Sequence, residues 1–193
     1  MMRIVFATNN QNKLKEVREA LPQYEIVGLK DIGCFEELAE EQDTLKGNAQ
    51  QKAEYVYNKY NSVCFADDTG LLIDALNGAP GVYSARYSGT DCDSQKNMDL
   101  VLSNLNGIQN RKAKFKTVIC LFDENGPTFF NGEVEGEILE IRTGNEGFGY
   151  DPIFQPKGYQ QSFATMQRNE KNKISHRGLA IEKLVTFLAA YKK

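Results

Sequence analysis

The feature that most constrains the fold is a change of hydrophobic period at the start of the chain. Residues 3–7, Arg-Ile-Val-Phe-Ala, suit a buried strand, and from Gln11 the apolar positions Leu14, Val17 and Leu21 fall at helical spacing until Pro22 stops them. Strand, polar turn and helix in that order open an α/β architecture. The pattern continues. A short strand is predicted at 24–29, an acidic loop at 35–43, and a helix from Thr44 to Tyr60 with Ala49, Ala53, Val56 and Tyr57 on one face. Residues 62–66 read as a second buried strand ending in Asp67-Asp68-Thr69-Gly70, and Asn-Gly-Ala-Pro-Gly at 77–81 as a turn. A helix over 93–105 precedes two strand-like runs, 114–122 and 128–138, which flank Glu124-Asn125-Gly126-Pro127 and predict a β-hairpin. Ser175 is placed to N-cap a last helix carrying Ile181, Leu184, Val185 and Leu188. The sum is α/β with an antiparallel component. No internal repeat or Pro/Ser-rich linker interrupts it, so residues 1–193 are read as a single domain.

Charge and cysteine usage narrow the function classes. The net charge of -3, with no long block of like charge, argues against sequence-independent nucleic-acid binding, which relies on dense Lys and Arg. Any anionic ligand must therefore meet local cations. The N-terminal apolar stretch is too short for a secretory signal or a membrane span, and no later run approaches that length. Cys34, Cys64, Cys92 and Cys120 are far apart, and Cys64 and Cys120 lie inside strand-like runs, as reduced core cysteines do. The expectation is a cytoplasmic protein without structural zinc.

Candidate chemistry sits at three places. Helix N-termini carry about half a positive charge, yet Lys13 and Lys15 fall near the front of the first helix and His176 and Arg177 at the front of the last. An anion ahead of each helix would resolve the conflict, which makes Thr8, Asn9, Asn10, Gln11, Asn12 and Lys13 a candidate polyphosphate cradle. It matches neither G-x-G-x-x-G nor a Walker loop. At the second place, Asp67 and Asp68 are neighbours on a strand and point to opposite sides. One of them can hold Mg²⁺ or take a proton from water, with a partner from Glu36, Glu37, Glu40 or Glu41 unless that run is a solvated loop. Asp68-Thr69-Gly70 also spells the D-T-G of aspartic proteases, in a single copy that would require a homodimer. The third place is 144–154, where Gly144, Gly147 and Gly149 permit close backbone approach. There Phe148 can stack on a nucleobase and Asp151 can accept from a base N–H, or the aromatics pack into the core.

These segments resemble the inosine triphosphate pyrophosphatase family, also called Ham1-like. The likeness runs nearly end to end through T-x-N-x-x-K at 8–13, NAQQKA at 48–53, ADDTGL at 66–71, GAPGVYSARY at 78–87, GFGYDPIF at 147–154 and EKNKISHRG at 170–178. The resemblance implies an elongated α/β fold with a central mixed sheet, two lobes with the substrate between them, and a homodimer. It implies Mg²⁺-dependent hydrolysis of ITP, dITP and XTP to the monophosphate and pyrophosphate, which clears deaminated purines from the nucleotide pool. Carried over by motif, residues 8–13 and Lys52 contact phosphates, Asp68 binds metal and activates water, and Glu40 is the second metal ligand, with Glu41 one residue away. Thr69, Phe148, Gly149, Tyr150, Asp151, Lys171, His176 and Arg177 correspond to substrate contacts. The chain departs from the family pattern at Asn9, where glycine is usual, at Thr69 for serine, and at Gly47 and Thr165, where many relatives carry Glu. Two further readings share these residues: a nucleotide-binding module without catalysis, and a pyrophosphatase for another altered base such as a modified pyrimidine.

Overall fold

The apolar run at the N-terminus forms β1, Arg3–Phe6, and the helical period after it forms α1, Gln11–Ala20. Between them Asn10 keeps extended backbone and its Oδ1 accepts the main-chain N–H groups of Asn12 and Lys13, satisfying two donors that a helix start leaves unpaired. β2 spans Glu25–Val27, and α2, Leu45–Tyr60, begins at the N-cap Thr44, whose hydroxyl accepts from Gly47 N–H. The remaining elements are β3 (Cys64–Ile73), α3 (Ser94–Asn104, capped by Asp93), β4 (Lys112–Asp123), β5 (Gly126–Ile138), β6 (Phe154–Pro156), α4 (Arg168–Ile174) and α5 (His176–Tyr191). The structure is a computed structural model and describes residues 2–191.

One six-stranded sheet has the order β2-β1-β3-β4-β5-β6. β1 runs parallel to β2 and β3, with Phe6 opposite Phe65, while β5 and β6 are antiparallel. β4 and β5 are neighbours joined only by Glu124 and Asn125, a link short enough for nothing but a hairpin. The mixed α/β class expected from the sequence is the observed one. The largest boundary difference is in β3, which does not stop at the paired aspartates but continues to Ile73. Leu71 and Ile73 are fully buried, and both aspartates have buried cationic or amide partners, so the strand loses nothing by carrying them inside it.

The chain divides into two compact units. The first comprises Met1–Asp68, Thr117–Gly132 and Arg177–Lys193; the second comprises Thr69–Lys116 and Glu133–His176. The first has its own core, in which Ile4, Phe6 and Phe65 pack with Leu14 and Val17 of α1 and Leu184 and Leu188 of α5. Phe6 and Phe65 stack with ring centroids 4.6 Å apart. On the other strand face Cys64 reaches the Ala53 carbonyl of α2 at 3.0 Å. Alternation along β1 and β3 therefore directs one set of side chains to α1 and α5 and the other to α2. The second unit is built on Leu71, Ile73, Met98, Phe115, Phe154 and Phe163. Each fully buried side chain of this size contributes roughly 1.5–3 kcal/mol.

Candidate functional site

Strand alternation delivers the two adjacent aspartates to different neighbours within the first unit. Asp67 shares a face with Phe65 and meets the helices packed there: its Oδ1 accepts from Lys13 Nζ of α1 at 2.8 Å and its Oδ2 from Arg177 Nε of α5 at 3.2 Å. Arg177 Nη1 donates to Glu16 Oε2 at 2.7 Å. Asp68 shares a face with Cys64 and meets α2: Asn48 Nδ2 donates to its Oδ2 at 3.0 Å, and Lys52 Nζ lies 4.0 Å from its Oδ1. Lys52 also donates to the Asp67 carbonyl at 2.9 Å and to Glu40 Oε1.

Electrostatics separate the neighbours further. Burial pushes the Asp67 carboxyl up, but Lys13, Arg177 and Lys52 outweigh it and hold the group well below the usual carboxylate range. Asp68 goes the other way: burial raises it, Glu40 adds to the rise, and Lys52, Lys13 and Asn48 do not cancel it. Lys52 is raised because Glu40, Asp68 and Asp67 together exceed the cost of its burial. Lys13 is lowered by burial, and by Lys52 and Arg177 nearby, against the pull of Asp67. The two neighbouring carboxyls are thus driven in opposite directions, Asp67 down by its cations and Asp68 up by burial. Titratable neighbours pushed apart in this way mark an acid–base assignment.

The helix-front charges acquire a local account. Asp67 and Glu16 compensate Arg177, and Asp67 compensates Lys13. In the candidate cradle, Thr8 Oγ1 accepts from Asn10 N–H, and Asn10 Oδ1 takes those of Asn12 and Lys13. Asn9, Asn10, Gln11 and Asn12 are exposed, while Thr8 and Lys13 are half-buried. In the acidic run, Glu40 is the residue brought to Lys52. Glu41 is exposed and held by its main chain, whose N–H donates to Gln51 Oε1 at 3.2 Å. The Asp68-Thr69-Gly70 triplet lies inside β3, with Asn48 and Lys52 beside Asp68.

Glu40 and Asp68 face one buried ammonium and offer hard carboxylate oxygens. Mg²⁺ commonly takes one or two protein carboxylates and completes its shell with phosphates and water, so this donor set fits it. Among the described residues no group of three or more His, Cys, Asp or Glu forms a self-sufficient metal cage.

The second unit holds the other candidate residues. Gly147 adopts φ +77°, and a Cβ on it would lie 2.1 Å from Asp151 Oδ2. That same oxygen accepts from Phe148 N–H at 2.8 Å and Lys171 Nζ at 2.7 Å. Asp151 therefore closes the glycine loop on itself through Oδ2. The Phe148 ring stays half-buried with Lys171 Nζ 5.3 Å from its centroid, and Gly149 is half-buried beside it. Tyr150 is buried and its hydroxyl donates to the Ser84 carbonyl at 2.7 Å, so it anchors the loop. Ser84 Oγ in turn accepts from Leu71 N–H and donates to the Gly81 carbonyl, which gives the 78–87 motif a structural purpose. The buried His176 ring stacks on Phe115 at 4.5 Å, and Thr69 is half-buried on β3. The sequence reading left Asn48, Glu16 and Ser84 unassigned. Asn48 and Ser84 lie inside quoted motifs, whereas nothing local marks Glu16.

Buried cations and carboxylates mounted on strand and helix in the first unit, and in the second a glycine loop that presents an aromatic ring, define an α/β protein equipped to handle a phosphorylated ligand. The chain belongs to the Ham1 family, whose profile matches residues 4–187. It is 51% identical over 187 residues to a dITP/XTP pyrophosphatase of Flavobacterium psychrophilum, covering 96% of this chain and 98% of that one. A Porphyromonas gingivalis protein of the same name is 50% identical over 194 residues, covering 100% of each chain. Among solved structures, the Staphylococcus aureus Ham1 protein superposes with TM-score 0.89 at 36% identity, covering 98% of this chain and 99% of that one. Among the described residues no helix is long and apolar enough to cross a membrane.

Proposed function

We infer that this chain is a nucleoside triphosphate pyrophosphatase that hydrolyses the deaminated purine nucleotides ITP, dITP and XTP to the monophosphate and pyrophosphate. Half-identical relatives named dITP/XTP pyrophosphatase support the substrate class. The observation that carries the chemistry is the divergence of Asp67 and Asp68, neighbours in sequence with different partners: Asp67 is bound by Lys13 and Arg177, Asp68 by Asn48 with Lys52 beside it.

In this reading Lys13 and Lys52 bind the triphosphate, with the exposed donors of residues 8–12 alongside. Lys13 is delivered by its bond to Asp67, and Lys52 by Glu40 and the Asp67 carbonyl. Asp68 accepts a proton from the water that attacks the α-phosphorus, and pyrophosphate leaves from the opposite side. Asp68 and Glu40 would hold Mg²⁺, which would neutralise charge on the phosphate oxygens. The proton acceptor must be ionised at working pH yet basic enough to take a proton, and a carboxyl raised by burial meets that need better than Asp67.

Phe148 stacks on the base, and the loop closed by Asp151 and Lys171 keeps that ring in place. Arg177, oriented through Nε and Nη1 by Asp67 and Glu16, and the main chain near His176 donate to the 6-oxo group of hypoxanthine or xanthine. Adenine presents an amino donor there. A site built on such bonds rejects the mismatched base by about 10⁴ or more, because its own groups go unpaired. The reading also includes a homodimer, which sedimentation velocity tests.

The deciding experiment is pyrophosphate release from ITP, dITP, XTP, ATP and GTP with saturating Mg²⁺. Turnover of the first three, with ATP slower by orders of magnitude, is expected. Nucleotide binding without pyrophosphate release would replace the enzyme by a binding module.

A further inference from the structure

One face of α2 grips three consecutive residues of the acidic loop. Lys52 holds the Glu40 carboxylate, Gln51 Oε1 accepts from Glu41 N–H, and Asn48 Oδ1 accepts from Gln42 N–H at 2.9 Å. Positions 48, 51 and 52 are helical neighbours at spacings of three and four, so a single stripe delivers all of them. The loop lies close to the helix: a Cβ at Gly47 would come within 2.7 Å of the Gln42 Cβ. Glycine at that position clears the approach that lets Gln42 N–H reach Asn48.

Asn48 differs from its neighbours because it is fully buried and uses both ends of its amide. A main-chain N–H needs an acceptor and a carboxylate needs a donor, so only one orientation of the amide satisfies both. That orientation places Oδ1 on Gln42 and Nδ2 on Asp68 Oδ2, at 3.0 Å. Asp68 is thereby held through one oxygen while the other faces Lys52.

We propose that Asn48 is the positioning residue of this enzyme, a buried amide that ties the Glu40-bearing loop to Asp68 and fixes both carboxylates in one arrangement. Its contacts are the Asp68 carboxylate and the Gln42 N–H, so it acts through Asp68 and through the loop. The inference rests on the roles given above to Asp68 and Glu40, and it adds that an uncharged side chain, alongside Lys52 which pairs with both carboxylates, fixes their mutual placement.

The test compares Asn48→Ala with the parent. Alanine is the best helix former, so α2 is expected to persist. Electron paramagnetic resonance of Mn²⁺ titrated into nucleotide-free protein reads the carboxylate pair without turnover. Loss of an outer hydrogen-bond partner costs about 10–100-fold in metal affinity or activity. Mn²⁺ affinity and kcat for ITP should fall by about that factor, with KM for ITP within about threefold of the parent. Parental Mn²⁺ affinity together with parental kcat overturns the proposal. Asn48→Asp supplies an independent arm should the alanine variant not fold: it keeps the side-chain shape and the acceptor for Gln42 N–H, but turns an oxygen toward Asp68. Its kcat should also fall at pH 8, and a parental kcat would again overturn the proposal. Asp68→Asn in the same assays separates the two ideas. Normal turnover in that variant removes the role given to Asp68, whereas an inactive Asp68→Asn beside a fully active Asn48→Ala removes only the role given to Asn48.

Discussion

Replacing each of the adjacent aspartates by asparagine should give opposite phenotypes. The Asp67 side chain is 1% exposed and neutralises Lys13 at 2.8 Å and Arg177 at 3.2 Å, with Lys52 on its carbonyl. Asparagine keeps the shape but removes the anion, leaving buried cations against a neutral amide. Breaking a buried ion pair from one side costs about 3–5 kcal/mol. At about 2–4 °C per kcal/mol for a chain of this size, Tm should fall by roughly 6–20 °C. Asp68→Asn removes a charge that burial already disfavours, and the new amide oxygen can still accept from Asn48, so Tm should stay within about 2 °C or rise. Its kcat for ITP should fall by about 10²–10⁴, the usual contribution of a positioned general base. The pH dependence carries a sign. The folded-state pKa of Asp67 is depressed, so its stabilisation is present above the unfolded value near 3.9 and disappears as pH falls through the folded value. The Tm gap between parent and Asp67→Asn should therefore be full at pH 7 and shrink below about pH 4. Differential scanning fluorimetry across pH, with pyrophosphate release at 25 °C, measures both. A parental Tm for Asp67→Asn at pH 7, or parental turnover for Asp68→Asn, would refute the division of labour.

Other outcomes follow from the same geometry. Gly147→Ala puts a Cβ at φ +77° and 2.1 Å from Asp151 Oδ2, so the loop must open; KM for ITP should rise by about tenfold or more, roughly the 1–2 kcal/mol of a left-handed non-glycine residue, while kcat changes less. Chelation by EDTA should abolish turnover and added Mg²⁺ should restore it, since two carboxylates beside one lysine leave the phosphates unscreened without a divalent ion; undiminished activity in EDTA would remove the metal from the reading. Burial pushes the Cys64 and Cys120 thiols up to about 12, and Cys34 is fully buried, so an aromatic disulfide reagent at pH 8 should titrate exposed Cys92 quickly and the other three only in denaturant. Rapid labelling of more than one thiol in the native protein would contradict that packing.

The sequence showed its fold where periodicity and caps agree. Leu14 and Val17 at helical spacing, Asn10 before α1 and Thr44 before α2 each announce their element locally, and the structure uses them as such. The end of the second buried strand was misplaced because paired aspartates look like a terminus. What keeps them inside β3 is Lys13, Arg177, Asn48 and Lys52, which stand 15 or more positions away and leave no local mark. The same distance hides Glu16, whose partner Arg177 lies 161 positions on. The glycine loop was legible as a place of close approach, but not in detail. The contacts that Asp151 Oδ2 makes to Phe148 N–H and Lys171 left no local mark in the sequence, because Lys171 lies 20 positions on.

The charges that broke the helix-dipole rule turn on this arrangement. Lys13 and Arg177 stand at helix fronts, where each opposes the local field, and an isolated cation there should be absent or solvated. Asp67 makes both tolerable at once, because strand alternation points it at α1 and α5 while Asp68 points at α2. A single aspartate would not suffice. On the Asp67 face it would be locked as a counter-ion with a depressed pKa, and on the Asp68 face it would leave Lys13 and Arg177 without their shared anion. Adjacent carboxylates on one strand satisfy both demands only because a one-residue step reverses the side chain. Inserting a residue between Asp67 and Asp68 would return both to the same face, so loss of activity and of Tm together is the expected result.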